Sequence, residues 1–144
     1  RFEKMVVKYE KCVMIIDEKL PLGLIANTAA IMGITLGEKF PEVVGKDVMD
    51  KNAHEHLGII EFPVPILKGD ADGIREIRNR LYEEAFSDLL CIDFSDVAQS
   101  CKTYEEFIGK MKDVDTVDLN YLGVCICGPK KKVNKLTGSL PLLR

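Results

Sequence analysis

The chain of 144 residues has the length of one compact domain, and we expect a single α/β domain over residues 1–144. Apolar residues make up 47% of the chain and charged residues 30%, a composition that argues against a disordered or fibrous protein. The formal net charge of −3 argues against general attraction to nucleic acid or to an acidic membrane, while leaving room for a local basic patch.

The five cysteines lie mostly within apolar runs, which predicts buried, reduced thiols. No Cys-x-x-Cys spacing is present, and Cys125 and Cys127 would share one face of a strand without another metal ligand nearby. Reduced thiols favour a cytoplasmic protein. Arg1–Lys11 lacks the apolar core of a signal peptide, and no apolar stretch approaches the roughly 20 residues of a membrane-spanning helix. We expect no metal, no other cofactor and no membrane.

The first strand and helix are predicted near the start of the chain. Lys11–Asp17 is short, apolar and rich in Val and Ile, which predicts a buried strand. After a turn at Pro21 and Gly23, apolar residues spaced by three and four predict an amphipathic helix that ends at Gly37. These apolar residues are Leu22, Ile25, Ala29, Met32 and Leu36. This order opens an α/β unit, in which ligands often bind beyond the carboxyl end of the strand.

The middle of the chain carries one weak and one clearer strand signal. Residues 42–50 contain valines interrupted by glycine, and they form the weak one. Residues 59–67 form the clearer one, with Pro63 and Pro65 removing backbone donors from one side. This strand is therefore expected at an edge of the sheet, where it could pair with a second copy in a homodimer.

Helix and strand signals continue to alternate in the next segment. Asp70 or Asp72 can cap a helix whose apolar residues Ile74, Ile77, Leu81 and Ala85 are spaced by three and four. Residues 89–94 form a short apolar run that predicts another buried strand.

The last segment completes the predicted architecture. Thr103 and Glu106 form a capping box, which predicts the start of a short helix. A strand is predicted at residues 119–127, and the last helix is predicted over Pro129–Leu136 with Gly138 as its stop. The alternation predicts an α/β fold with a mixed, mainly parallel sheet and helices on both faces.

Candidate ligand-binding residues lie mainly in the turns that follow the first and last strands. Asn27 and Thr28 could contact a ligand, or they could satisfy backbone groups at the helix start. Lys130–Lys132 stand at a helix amino terminus, which attracts anions, although such lysines are more commonly a solvated helix face. The candidates are Lys19, Gly23, Asn27, Thr28, Gly128, Lys130 and Thr137.

These two turns form one site only if the first and last strands are neighbours and bring the starts of the following helices to a common rim. The leading hypothesis is a domain that binds a small polar or anionic ligand there. His54 and His56, with Asp50, form another polar cluster, but two histidines separated by one residue indicate a solvated loop more than a zinc site.

The strand at 12–17, the turn Leu20-Pro21-Leu22-Gly23 and the ending Gly128-Pro129 with Thr137-Gly138 resemble the type II peptidyl-tRNA hydrolase fold. The closer resemblance, over nearly the whole chain, is to an uncharacterised bacterial branch of that fold, domain-of-unknown-function family 2000. Its most specific parts are Asn27, Gly128-Pro129-Lys130 and the ending Thr137–Arg144.

The hydrolase carries a lysine after its turn glycine, followed by a glutamine and a histidine further on. Leu24, Thr28 and Ile31 stand at these positions here, and a leucine can neither donate to a phosphate nor activate water. Hydrolysis of peptidyl-tRNA or of a related ester or amide is therefore an alternative hypothesis. A non-catalytic oligomeric interaction module is another.

Overall fold

A four-stranded mixed sheet forms the centre of the computed structural model, which describes residues 9–144. The strands are β1 (Lys11–Asp17), β2 (Val48–Met49), β3 (Glu55–His56), β4 (Ile66–Gly69), β5 (Leu90–Ser95) and β6 (Tyr121–Gly128). The order across the large sheet is β4-β1-β6-β5, while β2 and β3 form a separate hairpin.

The prediction of a mixed sheet is confirmed, but the prediction that it is mainly parallel is wrong. β1 and β4 are parallel, whereas β6 runs antiparallel to both β1 and β5. The connection from β5 to β6 starts and finishes at the same end of the sheet, where the Asp96 amide donates to the Asn120 carbonyl at 2.8 Å. Alternation of helices and strands does not specify this return, because it carries no information on strand direction.

Helices cover both faces of the sheet, as predicted. They are α1 (Leu22–Lys39), α2 (Ala71–Arg80), α3 (Asp96–Ser100), α4 (Tyr104–Lys112) and α5 (Lys130–Thr137). Met32 and Leu36 of α1 pack against one face, and Ile74 of α2 and Val133 of α5 pack against the other. Side chains of β1 alternate between the two cores, as the period of two requires.

Three helix predictions need correction. Gly37 does not end α1, which continues to Lys39, since a glycine in a helix costs only about 1 kcal/mol relative to alanine. Leu22, predicted on the apolar face of α1, is 82% exposed. Pro129 precedes α5 as its N-cap instead of forming its first residue.

The predicted strand at residues 59–67 joins the sheet only from Ile66. Upstream, residues 43–61 form an arm in which the Gly45 amide donates to the Ile59 carbonyl at 2.9 Å. Gly58 allows this pairing, since a Cβ there would lie 1.9 Å from the Gly45 oxygen. The predicted weak strand at 42–50 is a 3-10 turn followed by β2.

The predicted edge position of the proline-flanked strand is confirmed, because β4 is the outermost strand. The edge is nevertheless occupied by the closing segment, residues 139–144. The Lys68 amide donates to the Pro141 carbonyl at 2.8 Å, and the Leu143 amide donates to the Ile66 carbonyl at 2.9 Å. A second copy therefore cannot pair with this edge while the closing segment remains in place.

Asp70 caps α2, as predicted, by accepting from the Gly73 amide at 2.7 Å. The capping box is confirmed in one half: Thr103 accepts from the Glu106 amide at 3.1 Å. The Glu106 carboxylate accepts from the Lys102 amide at 2.8 Å instead of from the amide of Thr103.

The prediction of five reduced thiols is wrong for Cys12 and Cys127, which form a disulfide between β1 and β6. Cys91, Cys101 and Cys125 are free. Within residues 9–144 no helix is both long and apolar enough to cross a membrane. The expectation about a signal peptide falls mostly on residues 1–8, outside the described part of the chain.

Candidate functional site

The turns after the first and last strands lie at opposite ends of the sheet. β1 and β6 are neighbours, as predicted, but Lys11 at the start of β1 pairs with Gly128 at the end of β6. The turn after β1 begins six residues beyond Lys11, at Asp17, which places it about 20 Å away at 3.3 Å per residue. The expected common rim is therefore wrong, because the strands are antiparallel.

The last turn already contains an anion from the chain itself. The Glu10 carboxylate accepts from the Lys130 amide at 2.9 Å, at the amino terminus of α5. Lys132 is paired with Asp88 at 2.9 Å. An external anion would compete with the Glu10 carboxylate for this helix terminus.

Two of the other candidates have structural roles near the two ends of the sheet. The Thr137 hydroxyl is buried and donates to the Val133 carbonyl at 2.7 Å. Gly128 is buried within β6, where a Cβ would lie 2.4 Å from a methyl group of Leu89. Neither residue offers a free polar side chain to a ligand.

Near the loop that follows β1, helix α1 carries the exposed polar side chain of Asn27. Its neighbour Thr28 is fully buried, and its hydroxyl donates to the Leu24 carbonyl at 2.7 Å, within the backbone of α1. Lys19 and Gly23 are exposed, and the Lys19 amide donates to the Asp17 carboxylate at 3.0 Å.

A groove runs between α1, the edge strand β5 and the segment that joins α3 to α4; we call it the α1–β5 groove. Its volume is about 430 Å³, within the range of small-molecule sites. A second cleft, between β4, α2 and the closing segment, measures about 280 Å³. The α1–β5 groove is lined by Ile31, Thr35, Ile92, Asp93, Phe94, Ala98, Cys101, Lys102, Thr103, Tyr104 and Phe107.

The walls of this groove are mostly apolar, and several of its polar groups are already bonded within the chain. The Cys101 thiol donates to the Val97 carbonyl at 3.2 Å. The Asp93 carboxylate lies on the other face of β5, the α2 side, where it accepts from Arg78 at 2.8 Å. Lys102, which is exposed, supplies the one cationic side chain of the lining. The arrangement suits an apolar ligand body with a polar or anionic end.

Asn27 belongs to the same stripe of α1 as two lining residues. Asn27, Ile31 and Thr35 are spaced by four, which places them on one side of a helix. This spacing was the signal available in the sequence, but β5 and the α3–α4 segment, which complete the groove, lie 57 or more residues further along. Sequence reasoning therefore missed all of the lining residues, including Ile31 and Thr35 on the first helix.

The free thiols inside the protein are poor nucleophiles. Burial raises the pKa of Cys91 to about 11 and that of Cys125 to about 12, so both stay protonated at neutral pH. On the α2 side of the sheet, burial and the nearby Asp93 carboxylate raise the pKa of Tyr121 to about 12. These values argue against nucleophilic catalysis by any of the three groups.

The hairpin formed by β2 and β3 carries the histidine cluster. The Asp50 carboxylate lies 2.9 Å from His56 Nε2 and also accepts from the Asn52 and His54 amides. These hydrogen bonds, that of His56 first, lower the pKa of Asp50. Among the described residues, no three or more metal-ligating side chains are grouped to hold an ion.

The fold and groove define a class: an α/β protein with helices on both faces of a mixed four-stranded sheet and an apolar groove beside an edge strand. A model of the family described as "Protein of unknown function (DUF2000)" matches residues 10–144. The chain belongs to this family, which confirms that part of the resemblance.

A solved structure shares the fold. It is the protein of unknown function Atu0240 from Agrobacterium tumefaciens str. C58, with a TM-score of 0.82 and 16% sequence identity. The match covers 92% of this chain and 96% of that one. A search of curated proteins found no match. The likeness to the hydrolase fold and the bacterial origin stay predictions.

Proposed function

We propose that this protein binds a small ligand in the α1–β5 groove, with the apolar part of the ligand between α1 and β5 and a polar or anionic end near Asn27 or Lys102. The observation that carries the proposal is the apolar groove of about 430 Å³ between α1, β5 and the α3–α4 segment. The proposal keeps the ligand chemistry expected from the sequence and moves the site from the two turns to this groove.

The proposal is tested with a pair of isoleucines on the same helix. Ile31 lines the groove, whereas Ile34 is 75% exposed and does not line it. The probe is 8-anilinonaphthalene-1-sulfonate, whose fluorescence rises when its apolar rings leave water and which carries one sulfonate.

We expect saturable binding of the probe, weakened about tenfold by Ile31→Gln, since a primary amide would be placed in the apolar wall. Ile34→Gln should leave the affinity unchanged. NMR shifts on binding should concentrate at β5 and at Phe107. Equal effects of the two substitutions, or shifts centred elsewhere, would refute the site, and cooperative unfolding of both variants checks that they fold.

Peptidyl-tRNA hydrolysis receives less support from the groove. Ile31 lines it at the position where the hydrolase carries histidine, and Leu24 is half-buried where the hydrolase carries lysine. Asp93, the one acidic residue of the lining, has its carboxylate on the α2 side of the sheet, paired with Arg78. We therefore expect purified protein to leave peptidyl-tRNA intact in a discharge assay, and turnover that is lowered by Ile31→Gln and not by Ile34→Gln would favour the hydrolase instead.

The sheet edge on which the expected homodimer was based is not open. The edge of β4, flanked by Pro63 and Pro65, is paired with the closing segment. We accordingly propose no interface at that edge.

A further inference from the structure

The disulfide joins the two central strands of the sheet. Cys12 of β1 and Cys127 of β6 are direct register partners, 115 residues apart in sequence, with Cα atoms 4.1 Å apart. Both residues are completely inaccessible to solvent. β4 and β5 flank this strand pair on either side, and α1 packs over the same face.

We propose that the Cys12–Cys127 pair is a buried redox site whose state is set when the chain folds and then persists, because exchange requires β1 and β6 to separate. Thiol–disulfide exchange proceeds by attack of a thiolate on one of the two sulfurs, and a thiolate must reach that sulfur. In the folded protein the sheet and α1 block this approach.

The free thiol of Cys125 does not open the disulfide from inside the protein. Cys125 lies two residues from Cys127 in β6 and packs into the same core. Its raised pKa, about 12, keeps it protonated at neutral pH, so it does not attack the disulfide. Cys91 packs against the opposite core, across the sheet. The pairing of Cys12 with Cys127 is therefore protected from internal rearrangement.

The exchange reaction balances with ordinary thiols. Two molecules of a thiol reductant such as reduced glutathione deliver two electrons and two protons, leaving Cys12 and Cys127 as thiols and the reductant as its disulfide. In the reverse direction, a small-molecule disulfide such as oxidised glutathione is the oxidant. Both directions pass through a mixed disulfide on Cys12 or Cys127, which cannot form while both sulfurs are covered.

The first test compares the rate of disulfide reduction in folded and unfolded protein. The full oxidised chain is treated with dithiothreitol at neutral pH with and without guanidinium chloride, quenched with acid and alkylated. Mass spectrometry then counts the alkylated thiols. We expect reduction in the folded protein to be slower by a factor on the order of a thousand, and to accelerate with low denaturant as the sheet opens. Rates within about tenfold of each other would overturn the proposal.

The second test examines persistence. The chain is refolded separately with oxidised and with reduced glutathione, and both products are moved to one common glutathione buffer. We expect each product to keep its thiol count until a cycle of unfolding and refolding makes the counts converge. Convergence without unfolding, failure of the reduced chain to fold, or absence of the Cys12–Cys127 bond after oxidative folding would each refute the proposal. Cys101→Ser should keep the state of the Cys12–Cys127 pair in the same way, since Cys101 lies outside the pair.

Discussion

Tyr121 shows how a single buried polar atom can oppose the packing around it. The residue is 3% exposed at the start of β6, and its hydroxyl, which lies near Tyr82, makes no hydrogen bond of good geometry. Its ring contributes to the core shared by α2 and α5. An unpaired hydroxyl in such a place loses its bonds to water without replacing them, which costs about 1–3 kcal/mol.

Tyr121→Phe should therefore raise the free energy of unfolding by about 1 kcal/mol, because the ring stays and only the unpaired hydroxyl leaves. Denaturant unfolding at pH 7 measures the change. Tyr104→Phe is the matched control, since Tyr104 is exposed and should respond little. A loss of stability in Tyr121→Phe would contradict the expectation and would show that the hydroxyl has a bonding partner in solution.

At the scale of elements, the two edges of the sheet differ. The closing segment, residues 139–144, runs alongside β4. Its Leu140 packs into the core below α2, and its Leu143 packs into the core below α1. β5 has no second strand partner among residues 9–144, and the α1–β5 groove runs beside it. Edges left unpaired are sites of association, so closing one of them restricts how the protein can assemble.

Removal of residues 140–144 should expose the backbone of β4 together with both apolar contacts. We expect a loss of about 2–5 kcal/mol of stability and association that increases with concentration, since β4 becomes an open edge. Denaturant unfolding and light scattering measure the two effects. The control is Leu142→Ala, because Leu142 is 45% exposed and contributes its backbone position to the pairing. A truncated chain that stays monomeric and fully stable would contradict the role of this segment.

At the scale of the whole molecule, the buried titratable groups set the response to alkaline pH. Folding raises the pKa of Cys91 to about 11 and those of Cys125 and Tyr121 to about 12. A raised pKa means that the folded state holds these protons more tightly than the unfolded state, in which thiols titrate near 8.5 and phenols near 10. Their contribution is therefore fully present below about pH 8 and is lost as the pH rises to about 12.

The free energy of unfolding should consequently fall between about pH 9 and 11, by an amount on the order of a few kcal/mol. Denaturant unfolding across this range measures the slope. Cys125→Ala should lower stability at pH 7 by leaving a small cavity, yet flatten the slope, because it removes one of the titrating groups. An unchanged slope in this variant would contradict the assignment.

Features that depend on residues close together in the sequence were predicted, whereas features that depend on distant residues were not. β1 was predicted with its exact bounds, Lys11–Asp17, and β5 and β6 within two residues, because a run of apolar side chains records burial locally. The predicted Asp70 cap and one half of the predicted Thr103 capping box were confirmed, since a cap connects residues three apart. α3 was missed, although its N-cap Ser95 followed by Asp96 was a local signal.

The amino-acid sequence by itself determined the class of the fold, the buried strands and the face of α1 that carries Asn27. Only the tertiary structure decided the direction of β6, the pairing of Cys12 with Cys127 and the position of the α1–β5 groove. These three features depend on which distant segments meet. Periodicity along the chain records whether a residue is buried, but not which residue buries it. It therefore could not show whether the turns after β1 and β6 lie at the same end of the sheet or at opposite ends.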